Sequence, residues 1–146
     1  MGRIRRIAAR QANTLTMPRA QRFPQRGEIW WTNFHTDPPE KGRRPVIIVS
    51  PNARNQHERA TSVLVLPLSS SVHKIGPAHL LLRAGETGLR MDCAAQADNI
   101  AAILRANLRE PEPGQRPLSN TKICQLASLV KLAMGCPEPA AQPPGF

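Results

Sequence analysis

Arg44 is the residue whose surroundings most suggest chemistry. It stands between a loop containing Gly42 and the run Pro45-Val-Ile-Ile-Val49, whose β-branched side chains stiffen the chain behind it. Such a position anchors the backbone while the guanidinium reaches outward, and a planar guanidinium meets phosphate oxygens two at a time. A guanidinium keeps its protons near neutral pH, so charge stabilisation suits it better than proton transfer. The loop before it carries His35, Asp37, Glu40, Lys41 and Arg43. Of these, His35 offers an imidazole, the side chain that titrates nearest neutrality. A second polar stretch begins with Ser69, Ser70 and Ser71 and continues to His73 and Lys74. A hydroxyl at a strand end can donate to a phosphate oxygen, although three serines in succession also read as an ordinary turn. His73 and Lys74 suit phosphate contact more than chemistry, and His57 and His79 take no role. Cys93, Cys124 and Cys136 are odd in number, widely spaced and without a histidine at ligand distance, which argues against both a disulfide framework and a zinc site. No metal or cofactor is expected.

The charge balance points to a polyanion. The 146-residue chain carries 20 Lys and Arg against 10 Asp and Glu, a net +10. Seven of the arginines and none of the acids fall within the first 26 residues. Neutralising nucleic-acid phosphates with such a surplus releases condensed counterions. A solvated basic leader explains the same residues equally well. That leader lacks the apolar stretch of a secretory signal, Met17 is a possible alternative start, and no apolar run approaches the ~18 residues of a membrane span. A reducing, cytoplasmic location is expected.

The length allows one domain with a modest core, and with three Phe, two Trp and no Tyr that core must be aliphatic. The 15 prolines cluster in loops and in the tail. Residues 27–34 read as a strand with Ile29 and Trp31 on one face and Trp30 and Phe34 on the other. Residues 44–50 and 61–68 are continuous apolar strands covered on both faces, and Pro67 suggests a bulge or sheet edge. Residues 51–60 allow a helical turn, 78–83 form a strand, 85–88 a turn, and 91–103 one or two short strands around Asp98. The clearest helix follows Ser119 as N-cap, with Leu118 and Ile123 as a staple and Gly135 as its stop. Its apolar stripe is expected at Ile123, Leu126, Ala127, Val130, Ala133 and Met134. The organisation is a basic leader at 1–25, a folded body at 26–135 and a proline-rich tail at 136–146.

Four segments carry a family resemblance: Arg26-Gly-Glu-Ile-Trp30, Gly42-Arg-Arg-Pro-Val-Ile-Ile-Val-Ser-Pro51, Val63-Leu-Val-Leu-Pro-Leu-Ser-Ser70, and Gly88-Leu-Arg-Met-Asp-Cys-Ala-Ala-Gln-Ala-Asp-Asn-Ile100. Their order and spacing resemble the MazF/PemK (Kid) toxins. The resemblance implies a mainly β or α+β fold, a small SH3-like barrel of about five to seven strands with a C-terminal helix, usually a homodimer. It implies a metal-independent endoribonuclease acting on single-stranded RNA and held inactive by a cognate antitoxin, touching operator DNA only in that complex and engaging no membrane. Arg44, Ser69 and Asp98 match its catalytic positions. His35, Lys41, Arg43, Ser70, His73, Lys74, Gln96 and Asn99 are the residues expected to contact RNA.

Metal-free cleavage uses RNA's own 2′-OH as nucleophile and leaves a 2′,3′-cyclic phosphate and a 5′-OH. It needs a stabilised phosphorane, a proton acceptor and a proton donor. The chain departs from the family pattern at Ser69 (usually Thr), Gln96 (Arg in the PemK-like branch) and Asn99 (usually Gln), and Pro39 and Glu40 occupy the region of the family's loop histidine. Ser69 keeps the donor while losing the methyl that stiffens the rotamer. Two other classes compete. A CcdB-like gyrase poison shares the fold but works through a helix end with a Trp-Gly-Ile-like tail, where this chain has Met134-Gly135 before prolines. A catalytically weakened nucleic-acid-binding relative would explain the departures and the arginine-rich leader.

Overall fold

Six short strands and a C-terminal helix account for the apolar runs. The structure is a computed structural model and describes residues 22–34 and 37–136. The strands are β1 (Ile29–Thr32), β2 (Arg44–Ile48), β3 (Ser62–Ser69), β4 (His79–Leu82), β5 (Cys93–Gln96) and β6 (Ala101–Leu104). Helices α1 (Asn52–Gln56), α2 (Ala84–Thr87) and α3 (Asn120–Ala133) lie between or after them. All pairings are antiparallel, in the order β1-β2-β3-β5-β4, with β6 also on β3. The sheet is barrel-like but its ladder does not close, because β3 divides its far side between two partners. Residues Ser62 to Val65 pair with β6, and Leu68 and Ser69 pair with β5.

Pro67 sits at that division. The sequence suggests a bulge or an edge here, yet β3 is the central strand. Val49 donates its N–H to the Leu64 carbonyl, and antiparallel alternation then turns the Pro67 nitrogen away from β2. It faces the two-residue interval between β6 and β5, where no ladder donor is required.

Each face of the sheet carries its own core. Ile29, Ile47, Leu66, Leu68, Leu82, Cys93 and Ala95 pack against Ile123 and Leu126 of α3. Trp30, Val46, Ile48, Val63 and Val65 pack on the opposite face with Leu108, Phe34 and Ile103. The expected alternation along β1 is therefore realised for Ile29, Trp30 and Phe34. Helix α3 begins as expected, with Ser119 Oγ accepting from the Lys122 N–H at 3.2 Å. Its stripe is narrower and rotated: Ile123 and Leu126 are buried, Leu129 and Val130 half-buried, and Ala127, Ala133 and Met134 exposed. Among the described residues, Ile123, Leu126, Leu129 and Val130 carry the helix's packing against the core.

Residues 22–25, assigned from sequence to the leader, are held to the body. Arg22 forks onto Glu28 at 3.0 Å and reaches Glu110 at 3.2 Å, with its guanidinium 5.3 Å from the Trp30 ring centroid. Burial pushes the Glu28 carboxyl upward. Hydrogen bonds from Arg22, the Trp30 indole and the Gln25 N–H outweigh that and hold it below its ordinary range. Helix α2 replaces the expected turn and ends at Gly88 with φ +77°. A side chain there would strike the Gly114 carbonyl, so glycine lets two loops meet.

Candidate active site and nucleic-acid interface

The β2–β3 ladder explains how an arginine and a serine 25 positions apart in sequence meet. Val46 lies opposite Pro67. Continuing that register by two residues sets Arg44, which opens β2, opposite Ser69, which closes β3. Residues directly opposite project to the same face. The Arg44 guanidinium is held on three sides. Nη1 lies 3.5 Å from Asp37 Oδ2, Nη2 lies 3.5 Å from the Leu68 carbonyl, and the Phe34 ring centroid is 5.4 Å away. A guanidinium has five N–H donors, so two long contacts leave capacity for a ligand. Ser69 Oγ accepts the Ser71 N–H at 3.1 Å. That bond fixes the hydroxyl by its lone pair and leaves its proton to donate.

Both side chains line a cleft of about 800 Å³, together with Lys41 and Ser70. Its remaining walls are Trp31, Pro45, Leu68, Ser71, the 88–91 loop, Cys93 and the 112–115 turn. Burial, and secondarily Asp92, raise the Cys93 thiol above its ordinary value, so it presents a protonated thiol rather than a nucleophile. Gln115 fastens the 112–115 turn. Its Oε1 accepts from the Trp31 indole at 2.8 Å and from the Glu112 N–H at 2.9 Å, and its Nε2 donates to the Ile29 carbonyl at 2.9 Å.

The other expected residues lie elsewhere. Arg43 lines a second cleft of about 600 Å³ with Arg109, Asn33 and Asn107. His73 and Lys74 are exposed on a 3-10 turn after β3, outside the cleft walls. His35 falls outside the described residues. Asp98 stands on the turn after β5, also outside the cleft, and bonds His79 Nε2 at 3.0 Å. His79 Nδ1 accepts the Gly76 N–H at 3.0 Å, so the neutral ring carries its proton on Nε2 and donates it to Asp98. Asn99 Nδ2 donates to Gln96 Oε1 at 3.1 Å. Ser69 pairs with Ala94, and His79 with Gln96. These four residues therefore share a face, with Gln96 and His79 one pleat repeat beyond Ser69.

Sequence reasoning gave no role to His79, Glu112 and Gln115. His79 opens β4, and only strand register brings it to Asp98. Gln115 sits in a proline-rich stretch with no periodicity to read. Among the described residues no three His, Cys, Asp or Glu side chains converge as metal ligands, and no helix is long and apolar enough to cross a membrane.

The sequence and the fold match a known group of proteins. Residues 25–134 match the model of the PemK-like, MazF-like toxins of type II toxin–antitoxin systems. The endoribonuclease MazF9 of Mycobacterium tuberculosis is 32% identical over 117 residues, covering 72% of this chain and 88% of that protein. A mycobacterial endoribonuclease solved in complex with its cognate antitoxin superposes with a TM-score of 0.57 at 22% identity, covering 82% of this chain and 100% of that one. MazF of Deinococcus radiodurans gives 0.60 at 20% identity over 79% of this chain and 99% of its own. The chain belongs to the PemK-like, MazF-like toxin family.

Proposed function

We propose that the chain is a metal-independent endoribonuclease toxin that cuts single-stranded RNA to 2′,3′-cyclic phosphate and 5′-OH ends. The observation that carries this reading is that Arg44 and Ser69, which the continued β2–β3 register sets opposite each other, both line the cleft. There a fixed cation and a hydroxyl proton can address one phosphate. Charge developing on the equatorial oxygens of the phosphorane is met by Arg44, whose orientation Asp37, Phe34 and the Leu68 carbonyl already hold, and by Ser69. Preorganised donors of this kind need no reorientation as the reaction proceeds. Lys41 and Ser70, on the same walls, add contacts to the backbone. Asp98, Gln96 and Asn99 extend the site along the shared face, where they position the flanking strand.

The match to an endoribonuclease at 32% identity supports the activity. A structural neighbour solved with its antitoxin supports neutralisation by a cognate partner. An acidic, partly disordered antitoxin segment fits a cleft rimmed by Arg44, Lys41 and Arg90. The working unit is a homodimer in the cytoplasm, where Cys93, Cys124 and Cys136 stay as thiols. Operator DNA is met only as the antitoxin complex.

Incubating the protein with single-stranded RNA in EDTA tests the reading. Fragments with 5′-OH ends are expected, and Arg44→Ala should lower the rate by at least about 100-fold. Cleavage that requires added divalent metal would reject the mechanism. RNA left whole while gyrase–DNA complexes accumulate would place the chain with the CcdB-like poisons, and RNA retained but uncut would make it a binding relative.

A further inference from the structure

We propose that Trp31 and Glu112 form a nucleobase subsite on the far wall of the cleft, selective for bases that carry an amino group. The inference rests on the nuclease reading and names what determines specificity at the same site. An 800 Å³ cleft exceeds what one phosphate needs, and falls in the range that encloses a small organic ligand. Its lining differs in chemistry: Arg44 and Ser69 supply a cation and a donor, Trp31, Pro45 and Leu68 apolar surface, and Glu112 a carboxylate.

Strand spacing sets the reach. Trp31 lies opposite Pro45 on the neighbouring strand. Its strand is therefore about 5 Å from that of Arg44 and about 10 Å from that of Ser69. Trp31 and Pro45 alternate to the other pleat face from Arg44 and Ser69, and the cleft takes its lining from both, so a nucleotide spans it from phosphate to base over that distance.

Trp31 is built to serve as a stacking surface. It is half-buried, and its indole N–H is committed to Gln115 Oε1 at 2.8 Å. The ring is thus pinned by its edge while part of it faces the cleft. Unpaired bases in single-stranded RNA are commonly taken up on such aromatic faces. Gln115 is largely committed to holding the turn: its oxygen accepts twice and one of its two amide N–H groups donates to the Ile29 carbonyl. It is the positioning residue of the subsite, and through the Glu112 N–H it also sets the position of Glu112.

The Glu112 carboxylate, by contrast, has no partner among the described residues and lines the cleft. A carboxylate repels a phosphate, so this part of the cleft is unsuited to backbone. A carboxylate accepts from an exocyclic amine, as in contacts to cytosine N4. Cytosine, adenine and guanine present such an amine on the Watson–Crick edge, whereas uracil's single N3–H is flanked by two carbonyl oxygens that a carboxylate disfavours.

Binding of fluorescein-labelled 2′-O-methyl hexamers of cytosine, adenine or uracil, which cannot be cleaved, tests the subsite apart from the chemistry. The unmodified protein should bind the cytosine and adenine hexamers about tenfold tighter than uracil. Glu112→Ala, which removes the acceptor, should abolish that preference without weakening uracil binding. Trp31→Leu should weaken all three by about tenfold, and Trp31→Phe, which keeps a ring but loses the bond to Gln115, should recover most of the loss. Equal binding of the three hexamers by the unmodified protein, or a Glu112→Ala variant that keeps its preference, would overturn the proposal. So would a Trp31→Leu variant that binds like the parent. Failure to cut RNA in EDTA would sink the nuclease reading but leave these binding ratios to decide the subsite.

Discussion

Ser69 shows how a small side chain can be held without the branching that usually holds it. Threonine's extra methyl restricts χ1. Here the Ser71 N–H does that work by donating to Ser69 Oγ at 3.1 Å. The hydroxyl proton is then left pointing away from the turn. Replacing Ser69 with Ala removes the donor and should lower the RNA cleavage rate by about 100-fold. Ser69→Thr restores the same hydroxyl and should keep the parent rate with an unchanged cut-site pattern. Single-turnover cleavage of one RNA by the three proteins separates these outcomes. A Ser69→Ala enzyme as fast as its parent would remove Ser69 from the site.

At the scale of elements, the segment entering β1 behaves as a clamp. Arg22 joins Glu28 and Glu110, Glu28 also takes the Trp30 indole N–H at 3.0 Å, and Trp30 is fully buried. The Glu28 carboxyl sits below its ordinary range because those hydrogen bonds outweigh the cost of its burial. A carboxyl depressed in the folded state stabilises the fold fully above its unfolded pKa of about 4.3. It loses that contribution as pH falls through the lower folded value. Glu28→Gln should therefore cost about 1–2 kcal/mol at neutral pH, and the gap to the parent should close as the solution becomes more acid than about pH 4. Urea denaturation across that range measures it. A gap that stayed constant from pH 7 downward would show that packing, and not charge, holds the segment.

Along the sequence, much of the basic surplus precedes the residues of the cleft. Five of the arginines, Arg3, Arg5, Arg6, Arg10 and Arg19, precede the clamp, whereas Arg44 and Lys41 belong to the cleft. Deleting residues 1–21 spares Arg22 and hence the clamp. If the lost arginines add only non-specific attraction, the slope of log affinity against log salt should fall by up to about 3.5, with cleavage sites unchanged. Footprinting the cut ends of one RNA before and after the deletion checks this, and a shifted pattern would give the leader a part in recognition.

Strand identity, the cap and stop of α3, and the motif holding Arg44 are all legible in the chain alone. They depend on neighbours within a few residues: β-branched runs, Ser119 at the N-cap, Gly135 after the last turn. Which residues meet across the sheet is a different matter. The ladder that sets Arg44 beside Ser69 joins strands whose register depends on every pairing between them. The fork at β3 that makes Pro67 a central residue depends on where β6 stops and β5 begins. His79 reaches Asp98, and Gln115 ties Trp31 to Glu112, through contacts that local periodicity does not encode. Propensity and capping act over one turn or one pleat and are written in order along the chain, whereas register and loop docking are set by the shape of the assembled core.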